Sequence, residues 1–243
     1  ELSHLINTHN PIGIIYNYHP LTMGWLGENI MLKFPGIVHY GLHHEGSIIV
    51  KFNINIMADS TYPDNGNNYS VPRPLFKNLL SWQHPYNNPK IPVISSFGFG
   101  FGNKGWGRIV KTVNEQFDEA IIRLNIPFAY YGDRNGESVK NIHPGCYNEL
   151  NKEKIKLEIT TDFLNDNELL LFLATSSINV FLYDEMPGRG LSSVIDYALS
   201  VNVPIAISKS TMFRHICKVE PSICFEDRTL QQIIDSGSGA LQP

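Results

Sequence analysis

The stretch Tyr183-Asp-Glu-Met-Pro-Gly-Arg-Gly-Leu-Ser-Ser-Val-Ile-Asp-Tyr-Ala-Leu199, followed shortly by Val203-Pro-Ile-Ala-Ile-Ser208, decides the fold class of this chain. It reads as the end of a strand, a glycine-rich turn, an amphipathic helix and a second buried strand. Leu191, Val194, Ile195, Ala198 and Leu199 recur at the spacing of a helix packed on a sheet. Ser192, Asp196 and Ser200 share the opposite stripe, one turn apart. A helix that opens from glycines offers backbone N–H groups and partial positive charge to a phosphate. Ser192 and Ser193 are therefore candidate phosphate binders, and Asp196, one turn further, is placed to accept hydrogen bonds from a ribose.

Outward from this segment, strand and helix alternate from residue 90 onward, the pattern of a parallel sheet flanked by helices. Ile91–Ser96 reads as a strand followed by the glycine-rich Phe97–Gly107. Trp106, Ile109, Val110, Val113, Phe117, Ala120, Ile121 and Leu124 keep a helical period and predict one long helix. Phe128–Tyr131 reads as the second strand, ended by the turn cluster Gly132–Gly136. Ile155–Thr160 is the third, and Asp162–Thr175 a helix with Asp162 as its N-cap. Ile178–Tyr183, Ile205–Ser208 and Ser222–Phe225 complete six strands of a Rossmann-like domain over residues 89–243. The first 88 residues are less regular. Pro11–Tyr18, Ile37–Leu42 and Asn53–Met57 read as strands, Thr22–Phe34 as a helix, and 59–90 as a long loop or linker.

With 243 residues, 42% hydrophobic and 17% charged, the chain has an ordinary globular composition. A formal net charge of −4 provides no field to recruit nucleic acid or an anionic membrane. No apolar run approaches a membrane span, and no signal peptide is visible. Cys146, Cys217 and Cys224 are odd in number and lack metal-type spacing, which points to reduced thiols in a cytoplasmic setting. The chain opens at Glu1 rather than Met, as either a processed form or an expressed portion would.

Several constellations could carry chemistry. In Ser95-Ser-Phe-Gly-Phe-Gly-Phe-Gly-Asn-Lys-Gly-Trp106, glycines between a strand and a helix let backbone approach a ligand, with Gly102 and Lys104 beside it. No Gly-Lys-Ser/Thr occurs, so this is not a Walker A loop. Arg189, between two glycines, is a fork-shaped donor suited to a phosphate. Asp184 and Glu185 follow a buried strand at its carboxyl end, where open α/β sheets bind ligands. In His39-Tyr-Gly-Leu-His-His-Glu45 the histidines at 39 and 43 lie on a strand, which removes the metal-binding geometry of a helical i, i+4 pair. His44 and Glu45, at a strand end, are better placed to meet a substrate, and His19 is a candidate by the same logic. Lys209, Ser210 and Arg214 form a weaker candidate group after the fifth strand. Thr160–Phe163 is explained by helix capping alone.

The Lys104-Gly105 pair after a strand and loop, Asp196-Tyr-Ala-Leu, and Val203-Pro-Ile-Ala-Ile-Ser together resemble the donor-binding region of GT-B-type glycosyltransferases. The resemblance is to the large retaining group that includes glycogen and sucrose synthases. It covers residues 90–236 well and 10–60 loosely. That group has a Glu eight residues before the second acidic residue; here Gly188 stands at that position. Either the loop is longer and Glu185 takes the first role, or the contact is absent.

The resemblance implies transfer of a sugar, with retention, from a nucleotide-diphosphate donor to a hydroxyl acceptor. It implies neither metal nor cofactor. Gly102, Lys104, Arg189, Ser192, Ser193 and Asp196 would bind the donor, with Glu185 and His44 as catalytic candidates. Residues 1–88 would be a partial or reduced acceptor-side lobe, its opening strands either upstream or absent. Two other readings stand beside this one: a nucleotide-sugar epimerase or hydrolase on the same fold, and a non-catalytic Rossmann-like module that binds a ligand or partner.

Overall fold

The computed structural model describes residues 1–76, 91–130, 132–133 and 135–241. They divide into two units, residues 1–73 with 187–191 and residues 74–186 with 192–243. The boundary expected at residue 88 falls outside the described residues.

In the first unit, helix α1 (Leu2–His9) precedes strand β1 (Gly13–Tyr18). Two short helices, α2 (Pro20–Met23) and α3 (Asn29–Lys33), lead to β2 (Val38–His43), then β3 (Ile54–Met57) and β4 (Asn68–Ser70). All pair in parallel, in the order β1-β2-β3-β4. The single helix expected over 22–34 is broken because Gly24 and Gly27 interrupt it. Tyr16, Tyr18, Leu26, Val50 and Phe52 form the core, joined by Leu2, Ile14 and Met23. His39 is fully buried in it, and its Nδ1 shares a 2.9 Å hydrogen bond with the Tyr16 hydroxyl. The pair at 39 and 43 is thus spent on packing. Strand β4 and helix α1 have no counterpart in the sequence reading.

The second unit is built on β5 (Val93–Phe97), α4 (Trp106–Gln116), β6 (Ala120–Asn125), α5 (Glu137–Asn148), β7 (Ile155–Thr160), α6 (Asp166–Ala174), β8 (Ile178–Phe181), α7 (Val194–Leu199), β9 (Ile205–Ile207) and α8 (Leu230–Ser236). The sheet is parallel, in the order β7-β6-β5-β8-β9, so the direction of winding reverses between β5 and β8. One buried cluster, with Trp106, Ile109, Val113 and Leu230, covers one face. A second, with Leu173, Ile195, Ala198 and Phe213, covers the other. Every residue of β5 and β8 is buried, as a sheet covered on both faces requires.

Four expectations are corrected here. The long helix stops at Gln116, where Phe117 turns extended (φ −121°, ψ 147°), and residues 120–125 form the central strand β6. The run Ala120-Ile-Ile-Arg-Leu124 fits both periods, and sheet pairing decides between them. Residues 128–130 form no strand, and Tyr131 lies outside the described residues. Helix α6 starts at Asp166, not Asp162, because Asn165 and Glu168 form a capping box. Residues 222–225 contribute one bridge, Ile207 to Cys224, rather than a sixth strand. The three cysteines are free thiols, and burial pushes Cys146 up to about 11.

Candidate functional site

In the second unit β5 delivers the chain into the glycine-rich loop. Gly98 has φ +143°, and a Cβ there would lie 3.0 Å from the Lys104 ammonium. Gly105 has φ +67°, and a Cβ would lie 1.9 Å from the Leu182 carbonyl oxygen, so the loop is pressed against the end of β8. Lys104 Nζ donates a 2.5 Å hydrogen bond to the Tyr183 hydroxyl and sits 4.4 Å from that ring's centroid. The cation is held by a neutral partner and so keeps its charge available to an anion.

Lys104 faces a cavity of about 430 Å³ at the carboxyl ends of β5 and β6. Its walls come from Gly98 and Phe99, from Asn125, from Phe163, Asn165 and Asp166, and from Ser192, Ser193 and Tyr197. The reversal of strand order between β5 and β8 is where such a crevice is expected. Asn125 is oriented by donating from Nδ2 to Thr160 Oγ1 and the Asp162 carbonyl, both at 3.0 Å. The Tyr197 hydroxyl donates to Asp166 Oδ1 at 2.8 Å; burial, helped by that carboxylate, pushes it up to about 12. Tyr197 therefore stays protonated. Phe163 is largely exposed and offers an aromatic face at the rim.

The residues singled out in the sequence are distributed unevenly. Lys104, Ser192 and Ser193 line the cavity. Gly102 lines a separate hollow with Arg108 and Asp184. Asp196 is buried and is not among the residues lining the cavity. Asp184 is paired with Arg108, and Glu185 accepts a 2.8 Å hydrogen bond from the Thr211 backbone N–H. Asn125, Phe163, Asp166 and Tyr197 were not legible as a group. They come from the end of β6, the β7–α6 connection with the first residue of α6, and α7, and only the sheet order brings them together.

Arg189 and His44 belong to the first unit. At the carboxyl ends of β1 and β2, Glu45 Oε1 lies 3.3 Å from His19 Nε2 and 3.2 Å from Arg189 Nη1. Residues 188–190 pack closely on residues 44–46. Gly46 N–H donates to the Gly188 carbonyl at 3.1 Å, and a Cβ at Gly190 would lie 1.9 Å from the His44 carbonyl oxygen. His44 Nε2 is bonded to Asn17 Oδ1. Burial, then the positive charges of Arg73, His19 and His43, hold His44 below the ordinary histidine range against the opposing pull of Glu45. Among the described residues no group of three His, Cys, Asp or Glu side chains is arranged to hold a metal, and no helix is long and apolar enough to cross a membrane.

No family model and no curated protein matches the sequence. Solved structures do. HepE from Anabaena in complex with UDP-glucose aligns with a TM-score of 0.69 at 13% identity, over 99% of this chain and 74% of that one. A glycosyltransferase from Rickettsia africae aligns at 0.63 and 12% identity, over 97% and 68%. An α,α-trehalose-phosphate synthase (UDP-forming) from Burkholderia vietnamiensis aligns at 0.64 and 9%, over 94% and 68%. At these identities the likeness is one of fold. The α/β class expected from the GT-B resemblance, two parallel sheets with flanking helices, is the one observed.

Proposed function

We propose that this chain is a glycosyltransferase that moves a sugar from a nucleoside-diphosphate donor to a hydroxyl acceptor. The observation that carries the reading is the cavity of the second unit. It is open at the strand ends of a sheet with GT-B likeness, walled by aromatic rings and amides, and supplied with one cation at Lys104. The nucleoside would lie against Phe163 and Phe99, with Asn125 presenting its amide to the base or ribose. The diphosphate would meet Lys104 and the hydroxyls of Ser192 and Ser193.

Charge develops on the departing diphosphate as the glycosidic bond breaks. A fixed ammonium in a partly desolvated pocket stabilises that charge without reorganising, the kind of term whose loss lowers kcat by about 10²–10³. In this reading Lys104 fills the electrostatic role without a metal. Retention of configuration is part of the proposal by resemblance only. His44 and Glu185 are its candidates for contact with the transferred sugar, whereas Asp196, read from the sequence as the ribose acceptor, is buried outside the cavity lining. Arg189, paired with Glu45, would orient the His44 loop rather than bind phosphate.

A second reading has its own support. Both acids nearest the family's first glutamate are engaged, Asp184 with Arg108 and Glu185 with Thr211. A module that binds a nucleotide without turning it over would look the same. Calorimetric titration with UDP, GDP, ADP and TDP, repeated on Lys104→Ala, tests both. One diphosphate should bind, and the substitution should weaken it at least tenfold. Release of that diphosphate from its sugar in the presence of hydroxyl acceptors separates enzyme from module. Failure of all four diphosphates to bind would end both readings.

A further inference from the structure

The first unit holds a second cavity that the glycosyl-transfer reading does not use. It is an open hollow of about 570 Å³ whose lining includes four amides, Asn55, Asn65, Asn67 and Asn68, with Lys51 and Tyr62 beside them and Ile48 and Phe52 supplying apolar surface. Asn55 is the second residue of β3 and Asn68 the first of β4, and the two are paired in register. The cavity therefore stands at the amino ends of these strands. His19, His44 and Glu45 follow the carboxyl ends of β1 and β2.

Its amides are built in place from the interior outward. Asn55 is 3% exposed and spends its whole amide. Oδ1 accepts from Phe52 N–H and bonds His43 Nε2, each at 3.0 Å; Nδ2 donates to the Phe52 carbonyl at 3.3 Å and to Asn68 Oδ1 at 3.0 Å. Asn68 Nδ2 in turn donates to Asn65 Oδ1 at 2.7 Å, and the backbones of Asn65 and Asn68 exchange two further bonds across a turn in which Gly66 takes φ +53°. A buried side chain thus fixes the orientation of two outer ones.

At the outer end hydrogen-bonding capacity remains. Among the described residues no hydrogen bond occupies the Asn65 Nδ2 protons, the Asn67 amide, the Tyr62 hydroxyl or the Lys51 ammonium. These groups line one open cavity, and their types narrow the ligand. No carboxylate lines it, so a hard cation would lack its charged ligands there. An amide presents a donor and an acceptor side by side, as does a pair of neighbouring hydroxyls. A tyrosine ring adds a face for the C–H side of a pyranose. The volume lies within the range of small-ligand sites.

We propose that the first unit carries a carbohydrate-binding site at the amino ends of β3 and β4, separate from the donor cavity, that takes one or two neutral pyranose units. Preorganised amides lower the ordering cost of holding a flexible, strongly hydrated ligand. The proposal stands independently of the glycosyl-transfer reading.

The test is a ¹H–¹⁵N titration of the whole chain with maltose, cellobiose, lactose, mannobiose and chitobiose at millimolar concentrations. One of these sugars should shift the side-chain amides of Asn65 and Asn67 saturably. Asn67→Ala and Tyr62→Ala, both outside the buried part of the amide chain, should each weaken that sugar at least tenfold, with melting temperature and diphosphate binding unchanged. Asn67→Gln should recover part of the loss. Shifts that ignore both substitutions, or a panel that leaves the Asn65 and Asn67 amides unmoved, would overturn the proposal.

Discussion

The two units start from the same parallel sheet and finish it differently. In the second, strand order reverses beside β5, so successive connections cross opposite faces and two apolar clusters sandwich the sheet. In the first, the order β1-β2-β3-β4 never reverses. Right-handed crossovers then send every connection to one side. The core gathers on the face of Ile14, Tyr16 and Tyr18. On the opposite face Ile15 is 70% exposed, with Tyr69 and Val38 also open. A reversal makes both a second core layer and a crevice at the strand ends. Without one, the polar groups of the first unit gather at the strand ends and in the loops beside them, Asn55 and Asn68 at the amino ends and His19, His44 and Glu45 past the carboxyl ends.

The largest effect should come from the loop that closes the crevice. Gly105→Val forces a branched side chain into a positive-φ position and onto the Leu182 carbonyl. We expect a loss of about 4 kcal/mol or more in urea unfolding, at the severe end for single substitutions. Gly102→Ala, three residues earlier with open space around its Cβ, should change stability by less than about 0.5 kcal/mol. Equal effects would mean that the loop's close fit against β8 is not what holds the second unit's site.

A smaller but still large effect is expected at Arg123 on β6. Its guanidinium donates to Ser95 Oγ, the Phe172 carbonyl, Thr175 Oγ1 and Ser176 Oγ, at 2.6–3.2 Å. It ties the sheet to the end of α6. Arg123→Leu should cost about 2–3 kcal/mol, because the carbonyl and hydroxyls it served lose a charged donor in a half-buried seam. A change below about 0.5 kcal/mol would show that these groups find other partners.

How much of this was legible in the sequence follows the same division. The strands of the second unit announce themselves as short β-branched runs; Lys104 of its cavity adjoins Gly105, and the serines follow Gly190 within three residues. Two signals were harder to read. Ala120, Ile121 and Leu124 continue the helical register set by Trp106, and only pairing with β5 and β7 makes them a strand. Helix α5 contains Pro144 and Gly145, residues that argue against a helix until tertiary packing overrides them. The start of α6 was readable: Asn165 followed by Glu168 is a two-residue capping signature, stronger than the lone Asp162. Tyr197 with Asp166, and the amide chain at Asn55, were not readable, because each joins segments whose neighbourhood exists only in the folded sheet.

The histidines give the first unit a pH dependence of its own. His43 is 2% exposed, and burial holds it below the ordinary range despite its bond to Asn55. A histidine with a depressed folded value binds its proton more readily when unfolded. Its contribution is therefore present above the unfolded value near 6.5 and is lost as pH falls through the folded one. Stability should drop on acidification below about pH 6.5, at no more than about 1.4 kcal/mol per pH unit for this proton. His43→Gln keeps a donor for Asn55 without a titrating group and should flatten that slope. An unchanged slope in melts from neutral to mildly acidic buffer would assign the effect elsewhere.

The smallest effect is the most informative about the two sheets. Ile122 on β6 is fully buried, and Ile122→Ala should cost about 2–5 kcal/mol through lost transfer energy and the cavity left behind. Ile15 occupies a comparable interior strand position on β1 but faces outward at 70% exposure. It has little buried area to lose, so Ile15→Ala should shift stability by less than about 0.5 kcal/mol. Parallel sheets ordinarily bury both faces, so this result would be unusual for a strand of its composition. It would follow from winding in one direction only. A cost approaching that of Ile122→Ala would mean that the outer face of β1 is covered in solution, and the contrast between a sheet closed on two sides and one closed on a single side would fall.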